Sequence, residues 1–209
     1  MTIQTTDKTP VTLFGVTCGN RTYNGNAYAY TGTPVWKTED ATVTGETSVT
    51  YYKDKAGEVL EKAPTDAESY RAEFTITSDD YVGTASYNFE IAKAVITVAA
   101  KNKSIYVGDT VPSLENPATG TDYTVTGLCG NDALGGTATM SYAQEPDNTK
   151  TGTYEILISG LTVPEGDNYT ITFSNGTLTI TTKPSGGDSA GGGSSSGGSS
   201  SCSVLRKQN

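Results

Sequence analysis

Two acidic pairs, Glu39-Asp40 and Asp79-Asp80, are the first residues of this chain with types suited to chemistry, because glycoside hydrolysis needs two carboxyls facing one another across a cleft. Neighbours in an extended chain point to opposite faces, so neither pair is built for that task. Asp79-Asp80 also returns later as Asp167-Asn168 with one carboxylate lost. A turn role follows, since Asx side chains readily satisfy turn backbone. There is no histidine, which removes the commonest general base and metal ligand and both Ser-His-Asp and Cys-His nucleophiles. The expectation is a protein that is not an enzyme and carries no cofactor.

Asp109, Asp122, Asp132 and Asp167 are oxygen donors near loops and would suit calcium, but they lack EF-hand-like or other regular spacing, so no metal site is assigned. Cys18, Cys129 and Cys202 are an odd number without the close spacing of a zinc site. Cys18 and Cys129 stand beside the apolar Val16 and Leu128 and are read as small core fillers or inert loop residues. Asn-x-Ser/Thr triplets occur at Asn20, Asn102, Asn168 and Asn175, the last two in turns. Lys93 and Lys183, at strand ends, are the candidates for a spontaneous Lys-to-Asn cross-link, which needs a buried lysine beside an acid and is not expected of them.

The aromatic residues Tyr28, Tyr30, Trp36, Tyr51 and Tyr52 form the richest cluster. Tyr and Trp offer flat, partly polar surfaces on which a sugar ring or a partner protein can stack. Tyr28, Tyr30, Trp36 and Tyr52 are therefore the candidate ligand-binding residues. The competing reading is that most of them fill a small core short of Leu and Phe, with at least one of Tyr51 and Tyr52 on the outer face.

Strict alternation dominates the segments that must position these residues, and it predicts half-buried antiparallel strands. Tyr70, Ala72, Phe74 and Ile76 point one way between Arg71, Glu73, Thr75 and Thr77, and Tyr87, Phe89 and Ile91 alternate in the same manner. Tyr154, Ile156 and Ile158 repeat the pattern, as do Tyr169, Ile171 and Phe173, and Leu178 and Ile180. Asn175-Gly176 predicts a two-residue hairpin joining residues 171–174 to 177–180, with positive φ at both central positions. Asp54-Lys55-Ala56-Gly57 predicts a second turn, and Ala63–Ser69 is the one place for a short helical turn.

These segments occur twice. Thr22-Tyr23-Asn24-Gly25-Asn26 is answered by Ile105-Tyr106-Val107-Gly108-Asp109, Ser69-Tyr70 by Thr153-Tyr154, and Asn88-Phe89-Glu90-Ile91 by Thr177-Leu178-Thr179-Ile180, at offsets that drift from 83 to 89. In 209 residues this predicts an N-terminal extension over 1–10, a β-module over 11–93, a second over 94–183 and a flexible Gly/Ser-rich linker and tail over 184–209. A net charge of −9 argues against nucleic acid as a partner, since such proteins neutralise phosphates with Lys and Arg. No segment has the basic start and apolar run of a secretory leader or the length of a membrane span, so no membrane insertion is expected. That alone points to the cytoplasm, whereas a Gly/Ser tether implies a longer natural chain.

Residues 94–183 resemble the MBG domains of bacterial surface proteins. The resemblance rests on Ala94-Val95-Ile96-Thr97-Val98, Tyr106-Val107-Gly108-Asp109, Val111-Pro112-Ser113-Leu114, Gly127, Asn131-Asp132-Ala133-Leu134, Gly152-Thr153-Tyr154, Asp167-Asn168-Tyr169 and the segment from Asn175 to Ile180. Residues 11–93 are similar more loosely to the Ig-like or MBG-like repeats that precede such domains, through Tyr23-Asn24-Gly25, Ala63–Ala67, Ser69-Tyr70, the segment from Asp80 to Ala85 and Phe89-Glu90-Ile91, with Glu68 where a Gly is expected. The resemblance implies two tandem antiparallel Ig-like β-sandwich modules. It further implies an extracellular or cell-surface spacer, stalk or adhesin segment, monomeric within a longer chain. The alternative is a module whose exposed first-half aromatics bind a surface glycan or host protein.

Overall fold

The computed structural model describes residues 7–53, 57–164 and 167–184. Residues 54–56 of the turn expected over 54–57, the Gly/Ser tract after Pro184 and Cys202 lie outside the described residues. What is described is all-β: seventeen strands and no helix, with residues 63–68 an irregular loop and Ser69 already in strand, in place of the helical turn expected over Ala63–Ser69.

The first half contains β1 (Thr9–Pro10), β2 (Thr12–Phe14), β3 (Arg21–Thr22), β4 (Val35–Lys37), β5 (Thr42–Val43), β6 (Glu46–Lys53), β7 (Glu58–Leu60), β8 (Ser69–Thr77), β9 (Tyr81–Val82) and β10 (Thr84–Ala92). Its larger sheet runs β3-β10-β8-β6-β7. Facing it, β2 pairs with β4 and β4 with β5, while the preceding β1 pairs with β9. The second half contains β11 (Ala94–Ala100), β12 (Lys103–Tyr106), β13 (Tyr123–Thr126), β14 (Gly135–Tyr142), β15 (Gly152–Thr162), β16 (Tyr169–Ser174) and β17 (Gly176–Thr181), in sheets ordered β12-β17-β15-β14 and β13-β11-β16.

The internal repeat reappears as a repeat of strand pairing. β3 lies parallel to β10, which is antiparallel to β8, which is antiparallel to β6. β12, β17, β15 and β14 follow in the same order and directions. β11 is parallel to β16 and antiparallel to β13, and in the first half its role is split between β1, parallel to β9, and β2, antiparallel to β4.

Alternation produced these strands for the expected reason. Tyr70, Ala72, Phe74 and Ile76 on β8 are buried, and on β17 Gly176, Leu178 and Ile180 are. Each fully buried Ile, Leu or Phe adds roughly 1.5–3 kcal/mol of transfer free energy. The buried side chains form two separate cores, one for each half.

Two expectations need correction. The modules are not purely antiparallel: β1–β9, β3–β10, β11–β16 and β12–β17 all run parallel. In each half the opening strands pair with the closing ones, and the chain between them supplies the long crossover that parallel neighbours require. Nor is Asn175-Gly176 a hairpin. β16 pairs with β11 and β17 with β12 and β15, so the chain changes sheets at this point. Neither residue is among those with positive φ. Gly176 is needed for close approach instead, since a Cβ there would lie 2.9 Å from Lys101 O and 3.0 Å from Ala100 O.

Candidate functional site

Three of the aromatic candidates belong to the interior of the first half. Trp36 is 2% exposed and its indole Nε1 donates to Thr47 Oγ1 at 2.9 Å. Tyr28 is 9% exposed, stacks on Phe89 with centroids 4.7 Å apart, and donates its hydroxyl to Gly19 O at 3.1 Å. Tyr30 is half-buried, its ring edge-on to Phe74 at 4.9 Å, and its N–H donates to Tyr51 Oη at 2.7 Å. The expected exposed aromatic platform is therefore absent for Trp36 and Tyr28. The physical reason is volume: Phe89 touches Tyr28, Tyr51 and Tyr70 at once, and these large rings fill a core that strands of two or three residues cover poorly.

Tyr51 and Tyr52 split between faces as alternation requires, Tyr51 buried and Tyr52 half-buried. The Tyr52 hydroxyl donates to Glu73 Oε1 at 3.2 Å and the Arg71 guanidinium lies 4.3 Å from its ring centroid. Partial desolvation, followed by the Glu73 carboxylate, raises its pKa. Of the four candidates, Tyr52 thus combines outward placement with charged neighbours.

The densest polar constellation lies where the two halves meet, and it joins residues that the sequence reading weighed separately (Lys93, Cys129, Asp132, Asp167 and Asn168) with Tyr23, Asp66 and Tyr169, which it did not weigh for side-chain chemistry. Lys93 alone separates β10 from β11, and its ammonium pairs with Asp167. Asn168 bridges the halves twice: its Oδ1 accepts from Ala67 N at 2.7 Å and its Nδ2 donates to Asp66 Oδ1 at 3.0 Å. Tyr23 of the first half sets its ring edge-on to Tyr169 of the second at 5.2 Å. Both hydroxyls donate to Asp132 Oδ2, at 3.2 and 2.6 Å, and Tyr169 Oη also accepts from Cys129 N at 3.0 Å. Desolvation first, then the bond to Asp132, raises the Tyr169 pKa. Asp79-Asp80 and Asp167-Asn168, equal in the repeat, are thus used differently, the first pair as an exposed turn and the second as a clasp.

The remaining sequence candidates are dispersed. Asp109 Oδ2 accepts from Tyr106 N at 2.9 Å in a turn, and Asp122 pairs with Lys103 at 2.8 Å. Among the described residues no three acidic or cysteine side chains converge as metal ligands. Cys18 and Cys129 are free thiols packed against the first and second cores, and burial raises the Cys18 pKa. Glu39-Asp40 lies in an exposed bend between β4 and β5. Lys93 is half-exposed, unlike a cross-linking lysine.

The four Asn-x-Ser/Thr asparagines all have engaged side chains. Asn20 Oδ1 accepts from Glu90 N and Asn102 Oδ1 from Thr177 N, both at 2.9 Å, so two repeat-related asparagines hold repeat-related strands. Asn175 Nδ2 donates to Glu155 Oε1 at 2.9 Å. A legible signal existed for the first two: Asn20-Arg21-Thr22 and Asn102-Lys103-Ser104 each precede the Tyr-x-Gly segment of their repeat.

Residues 96–179 match the family model of the MBG domain (YGX type). The match begins inside β11 and ends inside β17, so it takes in both sheets of the second half, which is consistent with an MBG domain. No curated protein matches the chain. No helix among the described residues is long and apolar enough to cross a membrane.

Proposed function

We propose that this chain is a non-enzymatic, two-unit segment of a bacterial surface or secreted protein, acting as a monomeric spacer or stalk that sets the distance between parts of a longer chain or carries an adhesive end. The observation that supports it best is the junction. A single connecting residue and side-chain bonds from Asn168, Tyr23 and Lys93 leave the two halves little freedom to swivel. A spacer works by such stiffness, whereas a flexible joint would spread its ends over many separations. The family match of the second half adds the expectation of a repeat domain.

The test is a distance distribution between spin labels at Val59 and Leu157, exposed positions in different halves, after Cys18, Cys129 and Cys202 are replaced by Ser. One narrow peak that broadens in Asn168→Ala supports the spacer, and a broad distribution in the parent chain overturns it. Binding of a surface glycan or host protein is the competing proposal, and the residue it rests on is the outward-placed Tyr52. It predicts that Tyr52→Ala removes binding while the fold persists.

A further inference from the structure

We infer that the second half carries a ligand site for an organic cation with a compact apolar body. A cavity of about 320 Å³ opens beside β13, walled by Tyr123 and Val125 of that strand, Leu128 and Leu134 of the following loop, and Leu161 of β15. Its size falls at the lower end of small-ligand pockets, roughly 300–1,000 Å³, which are typically apolar with a few placed polar groups.

One charged residue lines this cavity, Asp132, and it is a carboxylate already held in position. Its Oδ2 takes the hydroxyls of Tyr23 and Tyr169, and among the described residues its Oδ1 receives no hydrogen bond. The arrangement is a fixed anion with a free oxygen beside an apolar wall. The complementary partner places an ammonium on that oxygen and a small aromatic or branched aliphatic group against Leu128, Leu134 and Leu161. Charge-assisted bonds of this kind are shorter and stronger than neutral ones.

The first half shows what a closed version looks like. β4, the counterpart of β13 by its antiparallel pairing with the opening strand, carries Trp36, whose buried indole lies under Gly83. A Cβ at Gly83 would come 2.8 Å from the Trp36 ring, so indole and backbone leave no room there. On β13, Tyr123 and Val125 instead line the open cavity.

The test titrates the full chain with 2-phenylethylammonium, with N-acetyl-Leu-Lys-amide and with 3-phenylpropionate, following amide chemical shifts. Saturable shifts centred on Val125, Leu128, Asp132, Leu134 and Leu161 are expected for at least one amine and not for the carboxylate. The tighter of the two amines tells a free small molecule from a peptide side chain. Asp132→Asn, which keeps an acceptor for the two tyrosines, should weaken amine binding by about tenfold or more. Leu134→Trp should fill the cavity and abolish binding with the spectrum otherwise folded. Equal binding of amine and carboxylate, an unchanged affinity in Asp132→Asn, or no localised shift with either amine overturns the proposal.

Discussion

The two halves share one strand order and differ in what fills it. The first core is aromatic, built on Trp36, Tyr28, Tyr51, Tyr70, Phe74 and Phe89, while the second is mainly aliphatic, with Ile96, Val98, Ile156, Ile158, Leu178 and Ile180. Pairing therefore follows from alternation and chain connection, and residue identity is free to vary so long as volume is conserved. The difference has a structural companion. In the first half the opening strand is broken into β1 and β2, and β4 is shorter than its counterpart β13, so rings must cover what the longer strands β11 and β13 cover in the second. Glu68, standing where the second half has Gly152, fits because its side chain is exposed toward Lys53 and its carbonyl accepts from Ile91 N as a strand end should.

The largest expected effect breaks one half at a time. Phe74→Ala should cost about 3–5 kcal/mol and Ile156→Ala about 2–5 kcal/mol, both sites being 0% exposed. Trp36, the sole tryptophan, reports the first half alone. Its fluorescence midpoint in urea should drop in Phe74→Ala and hold nearly constant in Ile156→Ala, whose loss appears in circular dichroism. Equal displacement of the fluorescence midpoint by both variants would show that the two cores melt as one. The same burial predicts that Trp36→Ala disturbs folding before any binding could be judged.

Gly127→Ala should come next. Gly127 has φ +93° and a Cβ there would lie 2.1 Å from Val95 O, a clash between backbones that no rotamer relieves. The strained backbone alone costs about 1–3 kcal/mol, and the loss should register in the second half by thermal melting while the Trp36 signal keeps its midpoint.

Tyr169→Phe sharpens the comparison at the junction. It leaves Cys129 N without its acceptor and removes a donor from Asp132, at a cost of about 1–3 kcal/mol. The counterpart change Tyr81→Phe, at a half-buried residue for which no hydroxyl bond is recorded among the described residues, should be close to neutral in chemical denaturation. A comparable loss in both variants would mean that the junction network contributes nothing particular.

Acid should separate the halves by a smaller margin. Bonds from Lys103 and Ala118 N hold Asp122 below its ordinary pKa, and bonds from Thr149 and Lys150 bring Asp147 to about 2. Both belong to the second half. A carboxylate depressed in the folded state adds stability that is fully present above its unfolded value, about 3.9, and is lost as pH falls through the folded value. The second half should therefore weaken between about pH 4 and pH 2, and Asp122→Asn with Asp147→Asn should flatten that decline in melting profiles. An unaltered profile in the double variant would remove these groups from the account.

Alternation and the repeat were legible in the chain, because period-two patterning and duplicated turn residues are local and survive without partners. The Tyr-x-Gly match was legible too, but it is one residue out of step with hydrogen bonding: Tyr23 N donates to Ala92 O, whereas Val107 N, not Tyr106 N, donates to Thr181 O. That slip turns Tyr23 toward Asp132 and the second core while Tyr106 stays 40% exposed. The clasp and the cavity were not legible, since each assembles residues from distant segments.

By itself the sequence determined the all-β class, the doubling, the faces of β8 and β17 and the absence of histidine chemistry, since these depend on residue type and near-neighbour order. Only the tertiary structure decided that Asn175-Gly176 crosses between sheets instead of closing a hairpin, that Trp36 is core, and that Asn168 ties one half to the other. Those outcomes depend on which strands come to lie side by side and how tightly they pack, and contacts between residues 100 apart leave no local pattern to read.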